Sequence, residues 1–391
     1  MRSNWVSKQW NDVLEIRSGR NQKEVLDPDG AYPIIGSAGK VMGYANDFLC
    51  EEGTTIIGRK GTIDNPMFIE TKFWNVDTAF GLIAGKELDK RYLFYFCCSV
   101  DFKKLDKGTT LPSLVKKDLV KMSIPFPEFE EQKQIVAILD QAFAAIDQAQ
   151  ANIQKNIQNA QDLFQSKLNQ IFSQQGDAQS GVEGEGWEEM TLGEIGTLTS
   201  SKRIFKSEYV NEGIPFYRSK EIKELGHNKE ISLELFITEK RYKEIKEKFG
   251  IPKKGDILLT AVGTIGEMYV VRSDNEKFYF KDGNIMWLKN FDTLNSYYLK
   301  YALTNFVEQL KAISKGSAYS ALTIEKLKKY SIPVPSKDEQ SSIVENLDAL
   351  KNQQLSTLGL YEEKLRNLEE LKKSLLQKAF SGELTQDKQA A

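Results

Sequence analysis

The sequence is poor in the residues on which many enzymes and metalloproteins depend. Its 391 residues include one histidine and three cysteines, and no two cysteines have the CxxC spacing of a metal site. Metal centres built on thiolates or imidazoles, disulfide frameworks and mechanisms with a catalytic histidine are therefore disfavoured. The chain has no run of 18 apolar residues, and its opening, MRSNWVSKQW, lacks the layout of a signal peptide. We therefore expect a cytoplasmic protein.

The chain also lacks the motifs of a nucleotide-dependent enzyme. It contains no GxxxxGK[ST] phosphate loop, no glycine-rich cofactor loop after a strand, and no Asn/Asp-Pro-Pro-aromatic tetrapeptide of the kind that amino-methyltransferases use on a flipped adenine. Asp64 with Glu70 and Lys72 faintly resembles the triad of a metal-dependent nuclease, but the second half of the chain has no counterpart. We expect neither catalysis nor a bound cofactor or metal in this chain.

An excess of positive charge is missing as well. The net charge is −2 and the pI is about 5.9, whereas DNA-binding proteins usually carry a basic footprint. The net charge is unevenly distributed along the chain. Residues 187–335 hold 24 basic and 20 acidic side chains, whereas residues 174–186 hold no basic and three acidic ones. Contacts with DNA through local basic loops are therefore compatible with the composition.

What the sequence does contain is an internal repeat. Several short strings recur 208 positions later, in one unbroken register from residue 107 to residue 173. The matched strings are Lys107-Gly108 with Lys315-Gly316, Ser123 to Pro127 with Ser331 to Pro335, Glu131-Gln132 with Glu339-Gln340, Ile135-Val136 with Ile343-Val344, Leu139-Asp140 with Leu347-Asp348, and Phe172-Ser173 with Phe380-Ser381. Each half is therefore a variable globule followed by a helical segment of fixed length. Two such halves suit duplex DNA that is read at two separated half-sites.

The helical segments predict the fold class. Residues 128–173 contain no proline or glycine, and apolar residues recur at spacings of three and four in both copies, with Gln354 at one seam position. A long helix with one narrow apolar stripe needs a partner helix, and the nearest is its own repeat. We predict an α+β protein with two similar α/β globules, each followed by a long helix, and the two helices paired as an antiparallel coiled coil with pseudo-twofold symmetry. The expected parts are a first globule at 1–128, a central helix at 129–173, a flexible linker at 174–186, a second globule at 187–336, a C-terminal helix at 337–382 and a tail at 383–391.

Three groups of residues resemble a known family. Trp187 precedes Leu192-Gly193-Glu194-Ile195, with a degraded version at Trp5 and Asp12-Val13. The string KKGDILLTAVGTIGEM, Lys253 to Met268, has the counterpart EEGTTIIGRKGTID, Glu51 to Asp64, and the string KGSAYSALTIEKLKKYSIPVPSKDEQSSIVENLD runs from Lys315 to Asp348. In these motifs and in the order of its parts, nearly the whole chain resembles the specificity subunit of type I restriction-modification systems. The first globule departs from its repeat by being 26 residues shorter between Trp5 and Lys107.

The resemblance implies a non-catalytic subunit with two target-recognition domains, each reading one half of a split, asymmetric DNA target. The paired helices would set the gap between the halves and dock two modification subunits. Those partners would bind S-adenosylmethionine and methylate adenine N6, and restriction subunits that use ATP and Mg²⁺ would join them to cleave DNA. This chain itself would bind no cofactor and no membrane.

Candidate DNA-binding residues fall in loops. Arg59 and Lys60 lie in the turn GRKGT, and Thr260 lies in the corresponding turn of the second copy. A lysine with small hydroxyl residues suits phosphate contact in the loop before each helix. These loop residues are Lys107, Thr109 and Thr110 in the first copy and Lys315, Ser317 and Tyr319 in the second. Candidate base readers lie in the segments that differ most between the copies, namely Ser37, Lys40, Arg203, Arg218, Lys220, His227 and Lys281. Aromatic residues outside the helix seam suggest partner docking near Phe143, Phe164, Phe172 and Phe380.

Other functions fit parts of this pattern. The same architecture could serve a fused methyltransferase-nuclease of another restriction class. A structural coiled-coil protein whose globules bind proteins would share the helices, but its interactions would not have the steep salt dependence of DNA binding. A self-sufficient endonuclease would need divalent-metal-dependent cleavage by the chain alone.

Overall fold

The structure, a computed structural model, describes residues 5–172, 187–313 and 322–385. The chain forms two compact units, one made of residues 1–155 and 360–391 and the other of residues 156–359. Each unit therefore holds one globule, part of the helix that follows it and part of the helix of the other repeat. The expected linker at 174–186 and the last residues of the expected tail lie outside the described residues.

The first globule combines short strands with three short α-helices and one 3-10 helix (Phe102–Leu105), and it precedes the first long helix. Its strands and helices, in chain order, are β1 (Val6–Gln9), α1 (Trp10–Val13), β2 (Leu14–Ser18), β3 (Tyr32–Ile35), β4 (Val41–Ala45), β5 (Thr54–Gly58), β6 (Met67–Ile69), β7 (Trp74–Asn75), β8 (Ala79–Ala84), α2 (Lys90–Ser99), α3 (Lys116–Leu119), β9 (Ser123–Phe126) and the long helix α4 (Phe129–Phe172).

Three sheets build the first globule. The strands follow the order β2-β8-β5-β6 in an antiparallel sheet and β4-β3-β7 in a mixed one, where β3 and β7 run parallel. The third sheet pairs β1 with β9, so the N-terminal strand lies beside the strand that leads into α4. Asp89 caps α2 by accepting hydrogen bonds from the backbone of Arg91 and Tyr92, as expected for an acidic residue at a helix N-terminus.

The second globule repeats this order with additional elements. They are β10 (Glu188–Thr191), α5 (Leu192–Ile195), β11 (Thr197–Ser200), β12 (Tyr209–Val210), β13 (Ile214–Tyr217), α6 (Ser219–Gly226), β14 (Phe236–Ile237), α7 (Glu239–Phe249), β15 (Ile257–Thr260), β16 (Met268–Val270), β17 (Tyr279–Phe280), β18 (Ile285–Lys289), α8 (Ser296–Ile313), α9 (Ile324–Lys328), β19 (Ser331–Val334) and the long helix α10 (Lys337–Ser381).

Corresponding sheets show that the two globules share one topology. The order β11-β18-β15-β16 matches β2-β8-β5-β6, the pair β10 and β19 matches β1 and β9, and β13 runs parallel to β17 as β3 does to β7. Helices α6 and α7 lie between β13 and β15 and have no counterpart between β3 and β5. This insertion accounts for most of the difference in length between the globules.

The two long helices pair antiparallel, and the predicted fold class is confirmed. In the first unit, Thr385 hydrogen-bonds to Glu131 over 2.8 Å, and Lys372 pairs with Asp147 over 2.7 Å. As residue numbers increase along α4 from 131 to 147, the numbers of their partners decrease from 385 to 372, so the two helices run antiparallel. Buried Ile135, Leu139 and Ile146 of α4 and Leu376 and Ala379 of α10 supply the apolar stripes in this unit.

Gln354 is a polar seam residue with a defined partner. Its amide nitrogen donates to the backbone oxygen of Ala160 on the facing helix over 2.9 Å, and its amide oxygen accepts from Lys351 of its own helix over 3.0 Å. The side chain is only 8% exposed. The position 208 residues earlier is Ile146, an ordinary apolar seam residue. A single buried polar side chain in a helix seam fixes the register at some cost in stability.

Replacing Gln354 with isoleucine should therefore raise the free energy of unfolding of the second unit by about 1 kcal/mol. Urea unfolding followed by circular dichroism measures this change. Gln354→Ala, which removes the hydrogen bond without filling the space, is the control and should lower stability. A clear loss of stability in Gln354→Ile would show that the hydrogen bond outweighs apolar packing at this position.

Candidate nucleic-acid interface

The turn after β5 carries the first group of predicted DNA-binding residues. Backbone N–H groups of Arg59 and Lys60 both donate to the oxygen of Thr78, over 2.7 and 3.1 Å, which fixes the turn to the edge of β8. Gly61 has a φ of +85°, in the left-handed region that favours glycine. The turn therefore has a defined shape and presents Lys60 to solvent.

The loop before α3 is closed by a single carboxylate. Asp106 accepts hydrogen bonds from the backbone N–H groups of Gly108 and Ser113, over 2.7 and 2.8 Å. These bonds hold the pKa of Asp106 below its usual range, because they stabilise the charged form. Every side chain between Lys107 and Pro112 is exposed, so the closed loop projects its lysine and threonines outward.

The structure joins this turn and this loop. Gly61 donates to the backbone oxygen of Pro112 over 2.9 Å, Leu114 donates to the backbone oxygen of Arg59 over 2.9 Å, and Lys60 forms a β-bridge with Ser113. Two segments about 50 residues apart thus form one surface. We call it the basic surface of the first globule; it comprises Arg59, Lys60, Lys107, Thr109 and Thr110.

Lys60 and Lys107 both carry an ammonium group that is not neutralised by a neighbouring carboxylate. Neither forms an ion pair within the part of the chain that the structure describes. By contrast, Lys103 pairs with Asp64 over 2.6 Å and Lys72 with Glu51 over 3.0 Å. Unpaired ammonium groups on a fixed loop can bind phosphate without first breaking an internal ion pair.

Arg59 is held more closely than the two lysines. Its guanidinium lies 5.7 Å from the centre of the Phe80 ring and donates to the backbone oxygen of Asp77 over 3.3 Å. The charge remains partly exposed. Arg59 can therefore add to the positive potential of the surface while packing against β8.

The corresponding turn of the second globule is built differently. Thr260 is fully buried, donates its hydroxyl proton to the backbone oxygen of Thr264 and accepts from the N–H of Glu267 over 3.0 Å. Its hydroxyl therefore supports the turn and does not face solvent, so the predicted DNA contact through this side chain is corrected to a structural role. Val262, Gly263 and Thr264 form the exposed tip.

Three charged candidates of the second globule, Arg203, Arg218 and Lys220, are paired with carboxylates, whereas Lys281 is exposed and forms no ion pair within the described residues. Arg203 contacts Asp282 over 2.8 Å. Arg218 contacts Glu221 over 2.7 Å and Glu234 over 2.9 Å. Lys220 shares Glu234 over 3.0 Å, and the hydrogen bonds from Lys220 and from Arg218 hold the pKa of Glu234 below its usual range.

Exposure separates these three cations. Glu221 is almost completely buried, with its side chain 3% exposed. Arg218 therefore serves first to neutralise a buried carboxylate, whereas Arg203 and Lys220 are more exposed and could exchange their carboxylates for phosphates. Lys315, Ser317 and Tyr319 lie outside the described residues.

His227 also has a local partner. It follows α6 and contacts Glu267 through Nε2 over 2.8 Å. It caps the C-terminal end of α6.

The repeated strings of the sequence attach each long helix to its globule. Gln132 is buried; its amide oxygen accepts from Asp89 N–H over 2.8 Å, and its amide nitrogen donates to the backbone oxygens of Glu87 and Pro127 over 3.1 and 3.0 Å. Gln340 makes the same three bonds, to Asn295, Thr293 and Pro335. Sequence reasoning missed this role, although the repeated Glu-Gln pair was its signal.

Neighbouring pairs of residues are duplicated in the same way. Trp5 donates its indole N–H to Glu131 over 3.1 Å, and Trp187 donates to Glu339 over 3.2 Å. The hydroxyl of Tyr92 donates to the backbone oxygen of Pro125 over 2.9 Å, and that of Tyr298 to Pro333 over 2.8 Å. The paired helices and each globule are thus fastened at equivalent points.

The aromatic residues of the long helices pack inward. Phe143 meets Tyr95 with ring centres 5.4 Å apart, and Phe380 lies 5.2 Å from Tyr92. In the second unit, Phe164 meets Tyr301 at 6.3 Å and Phe172 meets Tyr298 at 5.2 Å. The aromatic side chains that the helix seam cannot bury therefore pack against the globules. The prediction that these rings dock partner subunits is not supported by their positions.

The acidic residues near the first turn do not form a metal centre. Asp64 is paired with Lys103, and Glu70 lies 3.8 Å from Arg91. Across the described residues, no three His, Cys, Asp or Glu side chains are grouped as metal ligands. None of the described helices is both long and apolar enough to cross a membrane.

The chain belongs to the family described as the type I restriction modification DNA specificity domain. The model of this family matches residues 2–159 and again residues 184–363. Each match takes in one globule and the beginning of the long helix that follows it. The identification made from the sequence, a type I specificity subunit with two recognition domains, is thereby confirmed.

Similar proteins carry names of the same kind. S.HindORF215P of Haemophilus influenzae, provisionally named as a type I restriction enzyme specificity subunit, is 29% identical over 87% of this chain and 86% of its own length. The MjaVIII specificity subunit of Methanocaldococcus jannaschii is 23% identical over 97% and 93%. The EcoBI specificity subunit of Escherichia coli is 27% identical over 71% and 62%.

Solved structures share the fold. A chain from a structure of complex assembly and conformational transition in the type I R-M system superposes with a TM-score of 0.76 at 20% identity, covering 98% of this chain and 99% of that one. The HsdS subunit from Thermoanaerobacter tengcongensis gives 0.60 at 20% identity, with 98% of both chains covered. At such low identity, these similarities establish the arrangement of elements alone.

Proposed function

We propose that this chain is the non-catalytic subunit that gives a restriction-modification complex its DNA sequence specificity. Each globule reads one half of a bipartite, asymmetric target, and the paired helices set the distance between the halves. The observation that carries the proposal is the basic surface of the first globule, where two separate segments bring Lys60 and Lys107 together without internal ion pairs. Phosphate contacts of this kind position a protein on DNA.

Catalysis and cofactors belong to partner subunits in this proposal. Two modification subunits bind S-adenosylmethionine and methylate adenine N6, and restriction subunits use ATP and Mg²⁺. Family membership and the lack of a nucleotide-binding motif in the sequence support this division. A complex that reads chromosomal and incoming DNA would work in the cytoplasm.

Equivalent exposed leucines support docking of two identical partners. Leu163 on α4 is 62% exposed, and Leu371 on α10, 208 positions later, is 45% exposed. An apolar side chain at the same repeat position in both helices offers two similar contact points. We therefore place modification-subunit contacts on the outer faces of the helices near these residues.

The DNA interface is tested by replacing Lys60 and Lys107, the two lysines of the basic surface. For the complex with its modification subunits, Lys60→Ala combined with Lys107→Ala should lower the slope of log affinity against log salt by roughly 2, since each lost phosphate contact removes about 0.9. Affinity for target and non-target duplexes should fall together, because phosphate contacts carry no sequence information. Fluorescence anisotropy at several salt concentrations measures both quantities.

Lys103→Ala with Lys72→Ala provides the matched control. These lysines lie in the same globule but are already paired with carboxylates, so the salt slope should stay close to that of the unmodified complex. Equal slopes for the two double variants would remove the basic surface from the interface. Salt-independent binding by the unmodified complex would instead favour a structural coiled-coil protein.

A further inference from the structure

The hairpin of β3 and β4 is an exposed apolar element beside the basic surface. Val41 and Met42 are 55% and 57% exposed, Tyr44 is 47% exposed, and Leu26 beside them is 55% exposed. Strand β4 is the outer strand of its sheet. Exposed apolar side chains grouped on an edge strand mark an interaction site more often than ordinary surface.

Local packing fixes the positions of two of these side chains, Leu26 and Met42. Leu26 forms a β-bridge with Ala45, and its Cδ1 lies 2.9 Å from the point where a Cβ on Gly43 would stand. The sulfur of Met42 lies 2.9 Å from the corresponding point at Gly36. Two glycines thus leave space into which Leu26 and Met42 fold, and the apolar patch has a defined shape.

The tip of the hairpin meets the basic surface. Ser37 Oγ lies 3.9 Å from the point where a Cβ on Gly61 would stand, in the same turn as Lys60. Lys40, on the other side of the tip, is exposed. The hairpin that carries the apolar patch is therefore adjacent, at its tip, to the surface assigned to phosphate contact, and DNA bound to that surface would lie beside the hairpin.

The two globules differ at this position. After β3 the first globule turns back into β4, whereas after β13 the second globule enters α6 with its charged side chains. An element that differs between otherwise matching globules is suited to reading the half of the target that differs. Apolar side chains read one feature of a base edge in the major groove, the methyl group of thymine.

We propose that the β3–β4 hairpin reads at least one thymine of the first half-site by apolar contact of Val41 and Met42 with its methyl group. This inference rests on the proposed function, since it requires the first globule to bind DNA. The occupant of the patch is thus the duplex itself and not a protein partner.

The test removes methyl groups from the DNA. The target is first located by mapping methylated adenines in cells that carry the complete system. Each thymine of that duplex is then replaced in turn by deoxyuridine, and binding to the purified complex with its modification subunits is measured. Loss of one buried methyl group should weaken binding about fourfold at one or more positions, all within one half-site.

Protein variants then connect this loss to the hairpin. In Met42→Ala or Val41→Ala the same deoxyuridine substitution should change affinity less than twofold, because the methyl group no longer has its partner. Val6→Ala is the matched control, since Val6 is an equally exposed strand valine of the same globule, and it should keep the full effect. Thermal unfolding of each variant checks that the globule is intact.

Two outcomes would overturn the inference. The first is a missing link between the hairpin and thymine: either no thymine methyl group affects binding, or the effect of removing the methyl group persists in both Val41→Ala and Met42→Ala. The other is that these variants lose their modification subunits while keeping their affinity for DNA, which would make the patch a protein interface. If the Lys60 and Lys107 variants still lower the salt slope in either case, the DNA-binding function stands and this inference alone is lost.

Discussion

Replacing Gln132 with leucine should destabilise the first unit by about 3 kcal/mol. Leucine fills a similar volume, but it leaves the backbone N–H of Asp89 and the backbone oxygens of Glu87 and Pro127 without the partners that Gln132 provides. Buried backbone groups without a partner cost about 1–3 kcal/mol each, and relaxation toward solvent recovers part of this. Thermal unfolding should show a melting temperature lower by roughly 8 °C.

Two further variants make this result specific. Gln134→Leu changes the same residue type on the same helix at an exposed position and should leave stability nearly unchanged. Gln340→Leu removes the equivalent bonds in the second unit and should cost a similar amount there. If Gln132→Leu were as stable as the original chain, the duplicated hydrogen bonds would not be what attaches each helix to its globule.

Arg218→Ala should destabilise the second unit by about 3 kcal/mol. The substitution leaves Glu221 buried with one hydrogen bond, from the backbone N–H of residue 218 over 2.7 Å, and without its guanidinium. An uncompensated buried carboxylate is among the most costly results of a single substitution. Urea unfolding of the chain measures the loss.

The adjacent lysine supplies the control for this prediction. Lys220→Ala removes an exposed cation that shares Glu234 with Arg218 and should leave stability nearly unchanged, because exposed ion pairs contribute little. Adding Glu221→Gln to Arg218→Ala should restore part of the lost stability, because the buried charge is then gone. Loss of DNA affinity in Arg218→Ala without loss of stability would instead identify Arg218 as a base reader.

The long helices were predictable because their pattern is redundant. About twenty positions in the two helices repeat the same spacing of apolar residues, and the second copy agrees with the first, so one irregular position such as Gln354 does not obscure the period. The short strands were harder, since β7, β12, β14 and β17 have two residues each. A strand of two residues is too short to show an alternation of apolar and polar residues, and its pairing is decided by tertiary contacts.

The candidate site was predictable only in part, for a similar reason. Glycine and lysine in the strings around Lys60 and Lys107 marked two loops, but the backbone bonds from Gly61 to Pro112 and from Leu114 to Arg59 that join them are not written in either string. The second globule shows the limit more clearly. In the sequence, Thr260 corresponds to the exposed turn around Lys60. In the structure, its buried hydroxyl forms hydrogen bonds with the backbone of its own turn.

The core of the first globule is completed by residues near the end of the chain. Phe380 packs on Tyr92 and Phe96, and Leu376 and Ala379 are buried in the same cluster. A ribosome therefore finishes the first globule about 250 residues before its last core residues are synthesised. Until then, Tyr92 and Phe96 lack that cover, in a nascent chain where exposed apolar surface favours aggregation. Assembly of this unit begins with β1 but can be completed only after the C-terminal part of α10 has been synthesised.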